Sequence, residues 1–178
     1  MNPKNTLCLI VDIQERLLPA LSGADEMVER CRLLIQGLTA LDVPFAVTEQ
    51  YPKGLGNTVS AVSLLLPEGT PVVEKTQFSA FLPEIQEILR KNDIKNVILV
   101  GAEAHICMLQ TALDLKAQGY AVSLPFECTA SRTTANRDNG LAQLSRQGII
   151  ISNVESILFQ LLGDAKHPAF KTISKLIQ

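Results

Sequence analysis

The stretch that decides the fold runs from Asn96 to Tyr120 and reads NVILVGAEAHICMLQTALDLKAQGY. An uninterrupted apolar run ends at Gly101, a short turn follows, and residues with helical spacing begin near Cys107. A uniformly apolar strand that leads into a helix is typical of a parallel sheet covered on both faces. The stretch therefore predicts one βα unit of an α/β fold, with a cysteine placed at the start of the helix.

Similar units recur along the chain. Short runs rich in valine, isoleucine and leucine alternate with helical segments, and Gly119 and Gly148 each end a helical segment just before a strand. Six strands are predicted in this way: TLCLIVD, PFAVTE, TPVVEK, NVILVG, YAVSLP and IIISN. We expect a three-layer α/β/α sandwich whose six-stranded parallel sheet has the Rossmann-like order 3-2-1-4-5-6. Residues 1–178 are predicted to form a single domain.

Composition narrows the class of protein. The formal net charge is −2 with no block of like charges, which argues against a nucleic-acid partner. No apolar run approaches the roughly 20 residues of a membrane span, and the amino-terminal residues lack the features of a secretory signal. The sequence contains 4 cysteines and 2 histidines but no C-x-x-C pair. We therefore expect a cytoplasmic protein with reduced thiols, no cofactor, no metal site and no membrane contact.

Polar residues follow several of the predicted strands. Asp12 follows the first strand, Lys75 ends the third and Cys107 follows the fourth, while the second ends in Glu49 and Gln50. Ligands of open parallel sheets bind beyond the carboxyl ends of the strands, where the strand order reverses. If the first and fourth strands are neighbours, Asp12 and Cys107 face the same crevice.

These side chains suit acyl transfer. A thiol attacks as thiolate, and a helix N-terminus together with the Lys75 ammonium would lower the pKa of Cys107. Asp12 could take the thiol proton, and backbone N–H groups of the turn could bind an oxyanion. His105 and His167 are less suitably placed as bases. From spacing alone, Asp12 could equally be a turn residue, Lys75 a solvated lysine and Cys107 a small buried hydrophobe.

Several motifs resemble the isochorismatase-like cysteine hydrolases, the family that includes nicotinamidases and N-carbamoylsarcosine amidohydrolase. The resemblance covers nearly the whole chain and rests on motifs in family order: LIVDIQERL from Leu9, TEQYPKGLG from Thr48, VVEKTQFSAF from Val72, the stretch around Cys107, and SR at Ser131 and Arg132. The segment HPAFK from His167 is similar to the isochorismatase domain-containing hydrolase subgroup.

The resemblance implies an activity. It assigns Asp12, Lys75 and Cys107 to an Asp-Lys-Cys triad that forms a thioester-type intermediate with a small amide-like or imide-like carbonyl substrate. It also implies a cis peptide between Ala102 and Glu103, an oxyanion hole made by the backbone N–H groups of Glu103 and Cys107, and a homo-oligomer. The charge-poor segments 62–67 and 155–163 are candidates for a subunit interface or for ordinary core.

The sequence also departs from the family pattern. The histidines with which nicotinamidases bind a metal are missing between Gln50 and Pro71, which disfavours nicotinamide as the substrate. Glu127 followed by Cys128 replaces the usual aspartate before the SR motif and could alter the pocket wall. Isochorismate-type ether hydrolysis and a non-catalytic binding or scaffold role remain alternatives, whereas a nucleotide-binding domain is disfavoured because G-x-G-x-x-G is missing after the first strand.

A few further residues are candidates for substrate binding. Gln14, Tyr51, Phe78 and Phe81 could line a small pocket, although the two phenylalanines could equally be core packing. Arg132 could anchor a substrate carboxylate bidentately or form a structural ion pair. Gln110 is expected to support the fold or an oligomer contact.

Overall fold

Strands and helices alternate along the chain, and the computed structural model describes all of residues 1–178. The strands are β1 (Thr6–Val11), β2 (Phe45–Gln50), β3 (Val72–Lys75), β4 (Asn96–Ala102), β5 (Ala121–Pro125), β6 (Thr129–Ala130) and β7 (Ile150–Ser152). The α-helices are α1 (Ala24–Thr39), α2 (Pro52–Leu55), α3 (Ser60–Ser63), α4 (Pro83–Lys91), α5 (Leu109–Ala117), α6 (Thr134–Arg146), α7 (Val154–Leu162) and α8 (Phe170–Leu176). A π-helical turn, Ala104–Met108, joins β4 to α5.

All strands belong to one parallel sheet of order β3-β2-β1-β4-β5-β7, so the predicted architecture and strand order are confirmed. The sheet contains one strand more than the sequence predicts. This strand, β6, pairs with β4 alone, through Gly101 with Thr129 and Ala102 with Ala130. It is only two residues long, which is too short to show a hydrophobic period.

The strand order reverses between β1 and β4, whose ends are in register at Val11 and Gly101. A Cβ atom added to Gly101 would lie 1.9 Å from the carbonyl oxygen of Val11, and Gly101 has a φ of 127°. Glycine is therefore required where β4 passes the end of β1. The close approach brings the residue after β1 and the turn after β4 to the same crevice.

Each face of the sheet is covered by its own apolar cluster, which gives the predicted three layers. One cluster joins the sheet to α1, α7 and α8, and the other joins it to α4, α5 and α6. Along β1 the clusters alternate: Cys8 and Ile10 face the first, while Leu7 and Leu9 face the second. This strand is buried throughout, as expected for a central parallel strand.

The two charge-poor segments have different environments. Residues 155–163 form most of α7, whose apolar side chains are largely buried in the first cluster. In the segment 62–67, Leu64 remains 84% exposed.

No helix combines the length and the apolar character needed to cross a lipid bilayer.

Candidate active site

Three of the predicted site residues meet at the carboxyl edge of the sheet. Lys75 Nζ lies 2.7 Å from Asp12 Oδ2 and 3.8 Å from Cys107 Sγ. The three residues come from distant parts of the chain, and all are buried, with Cys107 the most exposed at 8%. The structure thus brings a carboxylate, an ammonium and a thiol into contact in a setting that is largely shielded from water.

Asp12 follows β1 and has a φ of 56°, in the left-handed region that non-glycine residues seldom adopt. Its backbone N–H donates to the carbonyl oxygen of Thr48, and Thr48 Oγ1 donates to Asp12 Oδ1 at 3.0 Å. Such a conformation costs about 1–3 kcal/mol unless the surroundings favour it, and such residues cluster at functional sites. Both carboxylate oxygens therefore have partners, and the backbone turn is fixed by β2.

Lys75 is the last residue of the edge strand β3. In addition to Asp12, its ammonium donates to Gln50 Oε1 at 2.6 Å and to the carbonyl oxygens of Gln77 and Phe78 at 3.2 Å and 3.0 Å. Four oxygen acceptors therefore surround the Lys75 ammonium and hold it beside Asp12 and Cys107.

Cys107 lies in the π-helical turn that precedes α5. Its carbonyl oxygen accepts a 2.6 Å hydrogen bond from Thr111 Oγ1, one helical turn further on. The same hydroxyl oxygen accepts the backbone N–H of Ala80 at 2.8 Å. Thr111 thereby links the turn that carries the thiol to the segment that follows Lys75.

Helix α6 supports this turn from the other side. Gly140 lies so close that an added Cβ would be 2.9 Å from the backbone carbon of Ala104 and 2.9 Å from the backbone nitrogen of His105. Backbone atoms cannot yield as the tip of a side chain can. The position of the cysteine turn therefore depends on a glycine in α6.

The pKa of Cys107 differs from the sequence-based prediction. Burial raises the pKa of the thiol to about 12, and the nearby Asp12 carboxylate raises it too, whereas Lys75 and the backbone N–H of Glu103 lower it. The prediction of a lowered pKa is therefore wrong, because desolvation outweighs the ammonium. Burial also raises the pKa of Asp12, while Lys75, Thr48 and Cys107 lower it. The resting site contains a protonated thiol beside an ion pair.

Glu103 connects several parts of the site. The Ala102–Glu103 peptide is cis, and the backbone amide of Glu103 lowers the pKa of the Cys107 thiol. The Glu103 carbonyl accepts the N–H groups of Ile106 and Met108. The buried carboxylate accepts the backbone N–H of Arg132 at 2.9 Å and lies 3.3 Å from Arg132 Nε. The family resemblance implies a role for the Glu103 amide, whereas no sequence pattern indicates this role of its side chain.

Gln14 differs from its predicted role. It is fully buried, and its amide donates to the carbonyl oxygens of Gln50 and Gly56 at 3.0 Å and 2.7 Å. Its Oε1 accepts the backbone N–H of Gln50 at 2.8 Å. These hydrogen bonds use the Gln14 amide to hold the loop after β2. Gln14 therefore does not line the pocket, in contrast to the prediction from the sequence.

The predicted aromatic residues divide into two groups. Tyr51 and Phe78 are 57% and 53% exposed. Both lie beside Lys75, because the Tyr51 N–H donates to the Lys75 carbonyl oxygen and the Phe78 carbonyl oxygen accepts from the Lys75 ammonium. Phe81 instead packs edge-to-face against Tyr120, with ring centroids 6.2 Å apart. This contact is the core packing that the sequence analysis had kept as the alternative for Phe81.

The remaining candidates lie at the margin of the site or outside it. Glu127 accepts the N–H of Val154 at the start of α7, so it supports that helix, and Gln110 is exposed. His105 Nδ1 lies 3.0 Å from Ser131 Oγ. No three His, Cys, Asp or Glu side chains are close enough to hold a metal ion together.

Thr48 and Thr111 contact Asp12 and Cys107 but were not predicted near the site, whereas Gln50, which contacts Lys75, was expected at this edge of the sheet. Their spacing contains a signal: Thr48 and Gln50 lie on the same face of β2, and Thr111 lies four residues after Cys107 on its helix. Alternation along the strand and one helical turn along α5 could have identified them as neighbours of the site.

The sequence is similar to that of known proteins over most of its length. The Isochorismatase domain family model matches residues 6–156. Isochorismatase domain-containing protein 1 of Salmo salar is 41% identical over 177 residues, which cover 99% of this chain and 62% of that protein. The chain thus spans less than two thirds of the length of that relative.

Solved structures are similar over almost the whole chain. The MAR1 ribonuclease of Caenorhabditis elegans has a TM-score of 0.96 at 38% identity, covering 99% of this chain and 91% of that one. The YcaC protein of Escherichia coli, described as an octameric hydrolase of unknown specificity, has a TM-score of 0.91 at 17% identity, covering 99% and 88%. At that lower identity the likeness shows the fold alone.

Proposed function

The chain belongs to the isochorismatase family, and from this premise we propose that it is a cysteine hydrolase of small amide-like or imide-like carbonyl compounds. The observation that carries the proposal is the position of Lys75 Nζ, 2.7 Å from Asp12 Oδ2 and 3.8 Å from Cys107 Sγ. A thiol, a base and a fixed cation in contact are the parts that covalent acyl transfer requires.

In the first step the Asp12 carboxylate takes the thiol proton while the sulfur of Cys107 bonds to the carbonyl carbon. The carbonyl electron pair moves to the oxygen, which receives hydrogen bonds from the backbone N–H groups of Glu103 and Cys107. Burial raises the pKa of the thiol to about 12, so attack requires a base that removes the thiol proton. The Lys75 ammonium, 2.7 Å from Asp12 Oδ2, lies beside the negative charge throughout.

In the second step Asp12 returns the proton to the leaving nitrogen, the C–N bond breaks, and a thioester on Cys107 remains. Asp12, again a carboxylate, then takes a proton from a water molecule whose oxygen attacks the thioester carbon. The C–S bond breaks, the sulfur recovers a proton from Asp12, and the acid product leaves. Each proton thus passes through one carboxylate, which Lys75 and Thr48 hold in place.

Ammonia release from a panel of small amides tests the proposal. We expect turnover by the wild-type protein and its loss in Cys107→Ala, while Cys31→Ala, which removes a buried thiol in the other apolar cluster, keeps turnover. Ether hydrolysis that survives Cys107→Ala would favour the isochorismate-type alternative. Turnover of no amide by the wild-type protein would favour a binding or scaffold role.

The name of the nematode relative raises RNA as a substrate, but phosphodiester cleavage is not part of the proposal. The chain has a formal net charge of −2, and its buried Lys75 is already paired with Asp12. Proteins that bind RNA through its backbone depend on unpaired cations. We expect no retention of a labelled RNA by this protein at physiological salt in a filter-binding assay.

We also propose that the chain forms a homo-oligomer, as its family resemblance implies. Apolar exposure at Leu64 (84%) and at Val72 of the edge strand β3 (54%) supports the proposal, since self-association would cover such surfaces. Light scattering should give a multiple of 19.4 kDa, and a mass equal to one chain would contradict it.

A further inference from the structure

We infer that Glu103 determines the substrate specificity of this site: its carboxylate neutralises Arg132, so that the cleft selects uncharged carbonyl compounds over carboxylates. The inference rests on the proposed function, because it takes Cys107 as the reacting residue. It also gives a role to a buried acidic side chain that the chemical steps do not use.

Glu103 and Arg132 are joined by two contacts. Glu103 Oε2 accepts the Arg132 backbone N–H at 2.9 Å, and Oε1 lies 3.3 Å from Arg132 Nε. The Glu103 side chain is only 5% exposed, whereas that of Arg132 is 65% exposed. The anion is therefore buried in the turn that precedes Cys107, and the exposed guanidinium lies beside it. A ligand that meets Arg132 also meets the negative charge of Glu103.

The charges of the site occur in matched pairs. Asp12 pairs with Lys75, and Glu103 pairs with Arg132, while Cys107 is protonated at rest. The other acceptors of the Lys75 ammonium are an amide and two carbonyl oxygens, so no donor remains for a further anion. The sum of these charges is zero. A carboxylate that entered the cleft would lose its hydration without gaining a cation of its own.

The Glu103 half of the pair belongs to the turn that carries the reacting sulfur. Glu103 precedes Cys107 by four residues, and its carbonyl oxygen accepts the N–H groups of Ile106 and Met108, on either side of Cys107. In the absence of Glu103 the Arg132 guanidinium would be the anchor for carboxylates that its chemistry suits. With Glu103 in place, Arg132 does not anchor a carboxylate. An uncharged amide then enters the cleft at a lower desolvation free energy than a carboxylate does.

Two reagents of nearly equal size test the inference, because iodoacetamide is neutral and iodoacetate is an anion. The alkylation rate of Cys107 is measured for each by mass spectrometry, and the ratio of rates is divided by the same ratio for glutathione. A change in thiol pKa alters both rates equally, so the normalised ratio reports the charge preference of the site. For the wild-type protein we expect the normalised ratio to favour iodoacetamide by about fivefold.

Glu103→Gln keeps the shape of the side chain and removes its charge. We expect this variant to react with iodoacetate about fivefold faster relative to iodoacetamide than the wild-type protein does. The matched control is Glu87→Gln, which removes a carboxylate paired with Lys91 on the exposed surface of α4 and should leave the ratio unchanged.

A wild-type ratio that favours iodoacetate would overturn the inference, and so would an unchanged ratio in folded Glu103→Gln. The wild-type measurement decides the question by itself if that variant does not fold. Failure of Cys107 to react with either reagent, while the unfolded protein reacts, would overturn the proposed nucleophile together with the inference. A reactive Cys107 with the opposite preference would leave the nucleophile and remove only the assigned substrate class.

Discussion

Asp12 and Lys75 form an ion pair that is almost completely shielded from water, with 2.7 Å between Oδ2 and Nζ and side-chain exposures of 1% and 0%. Burial of an ion pair seldom increases stability over apolar packing, because both charges lose their hydration. The contact of this pair with the Cys107 thiol gives a chemical reason for its place at the end of the sheet. In the proposed mechanism the pair supplies a base and keeps the site neutral after the base is used.

Replacement of Asp12 by asparagine should separate thiol reactivity from turnover. Because the Asp12 carboxylate raises the pKa of Cys107, its loss lowers that pKa, and iodoacetamide should alkylate Cys107 faster at pH 9 than in the wild-type protein. Amide hydrolysis should fall by about 10²–10⁴-fold, since the general base is lost. Rates of alkylation and of ammonia release measure the two effects, with Glu87→Gln as the remote control. An unchanged alkylation rate in Asp12→Asn would show that the carboxylate does not act on the sulfur.

The buried pair should also appear in a double-mutant cycle. Lys75→Met leaves Asp12 buried without its cation and should lower the free energy of unfolding by about 3–5 kcal/mol. Adding Asp12→Asn removes the unpaired charge, so the double variant should recover most of that loss. Urea unfolding of the wild-type protein, both single variants and the double variant measures the coupling. Additive losses would mean that the two side chains do not interact in solution.

The dependence of the cysteine turn on α6 is testable with two glycines. Gly140→Ala places a Cβ against the backbone of Ala104 and His105, so the turn must shift, whereas Gly37→Ala in α1 meets only side-chain atoms of Leu158. A displacement near 1 Å at the reacting group lowers turnover by about 100-fold, and we expect a loss of this size in Gly140→Ala alone. Thermal unfolding checks that both variants are folded. Equal activity of the two would contradict the account.

Alkaline pH should destabilise the protein through its buried thiols. Burial raises the pKa values of Cys8, Cys107 and Cys128 above the ordinary value of 9.0. The stability that these groups contribute is therefore complete below pH 9 and is lost as the pH rises, toward 12 for Cys107. Each thiol should lower the free energy of unfolding by about 1.4 kcal/mol per pH unit in that range.

Urea unfolding between pH 8 and pH 11 measures this slope. Cys107→Ala should reduce the slope of the free energy of unfolding against pH by the contribution of one thiol, since that variant has one fewer group to ionise on unfolding. The same slope in both proteins would mean that Cys107 titrates normally in the folded state.

Much of the fold could be predicted from the sequence because each central strand is a continuous apolar run bounded by turn residues. Such runs are typical of parallel strands buried on both faces, and the predicted strand order is the common one of doubly wound sheets. Strand β6 was missed because its pairing with β4 depends on a tertiary contact at Gly101 and not on any local pattern.

Spacing and resemblance identified which side chains would meet at the site. They did not indicate how strongly burial and neighbouring charges would act on those side chains. The direction of the Cys107 pKa shift depends on how far burial outweighs Lys75, and burial is a property of the assembled fold. For the same reason the sequence did not indicate that Gln14 and Gly140 support the site structurally. Their partners are backbone atoms of distant segments. The charge balance between Glu103 and Arg132 likewise becomes visible only once the turn after β4 meets β6.

Acid quenching of the protein during turnover of a small neutral amide, followed by mass spectrometry of the Cys107 peptide, tests the central claim most directly. The account predicts an added mass equal to the acyl group of the amide, carried on Cys107 and missing from Asp12→Asn and from every other cysteine. Hydrolysis that proceeds at full rate in Cys107→Ala, with no acyl group on any cysteine of the wild-type protein, would contradict it.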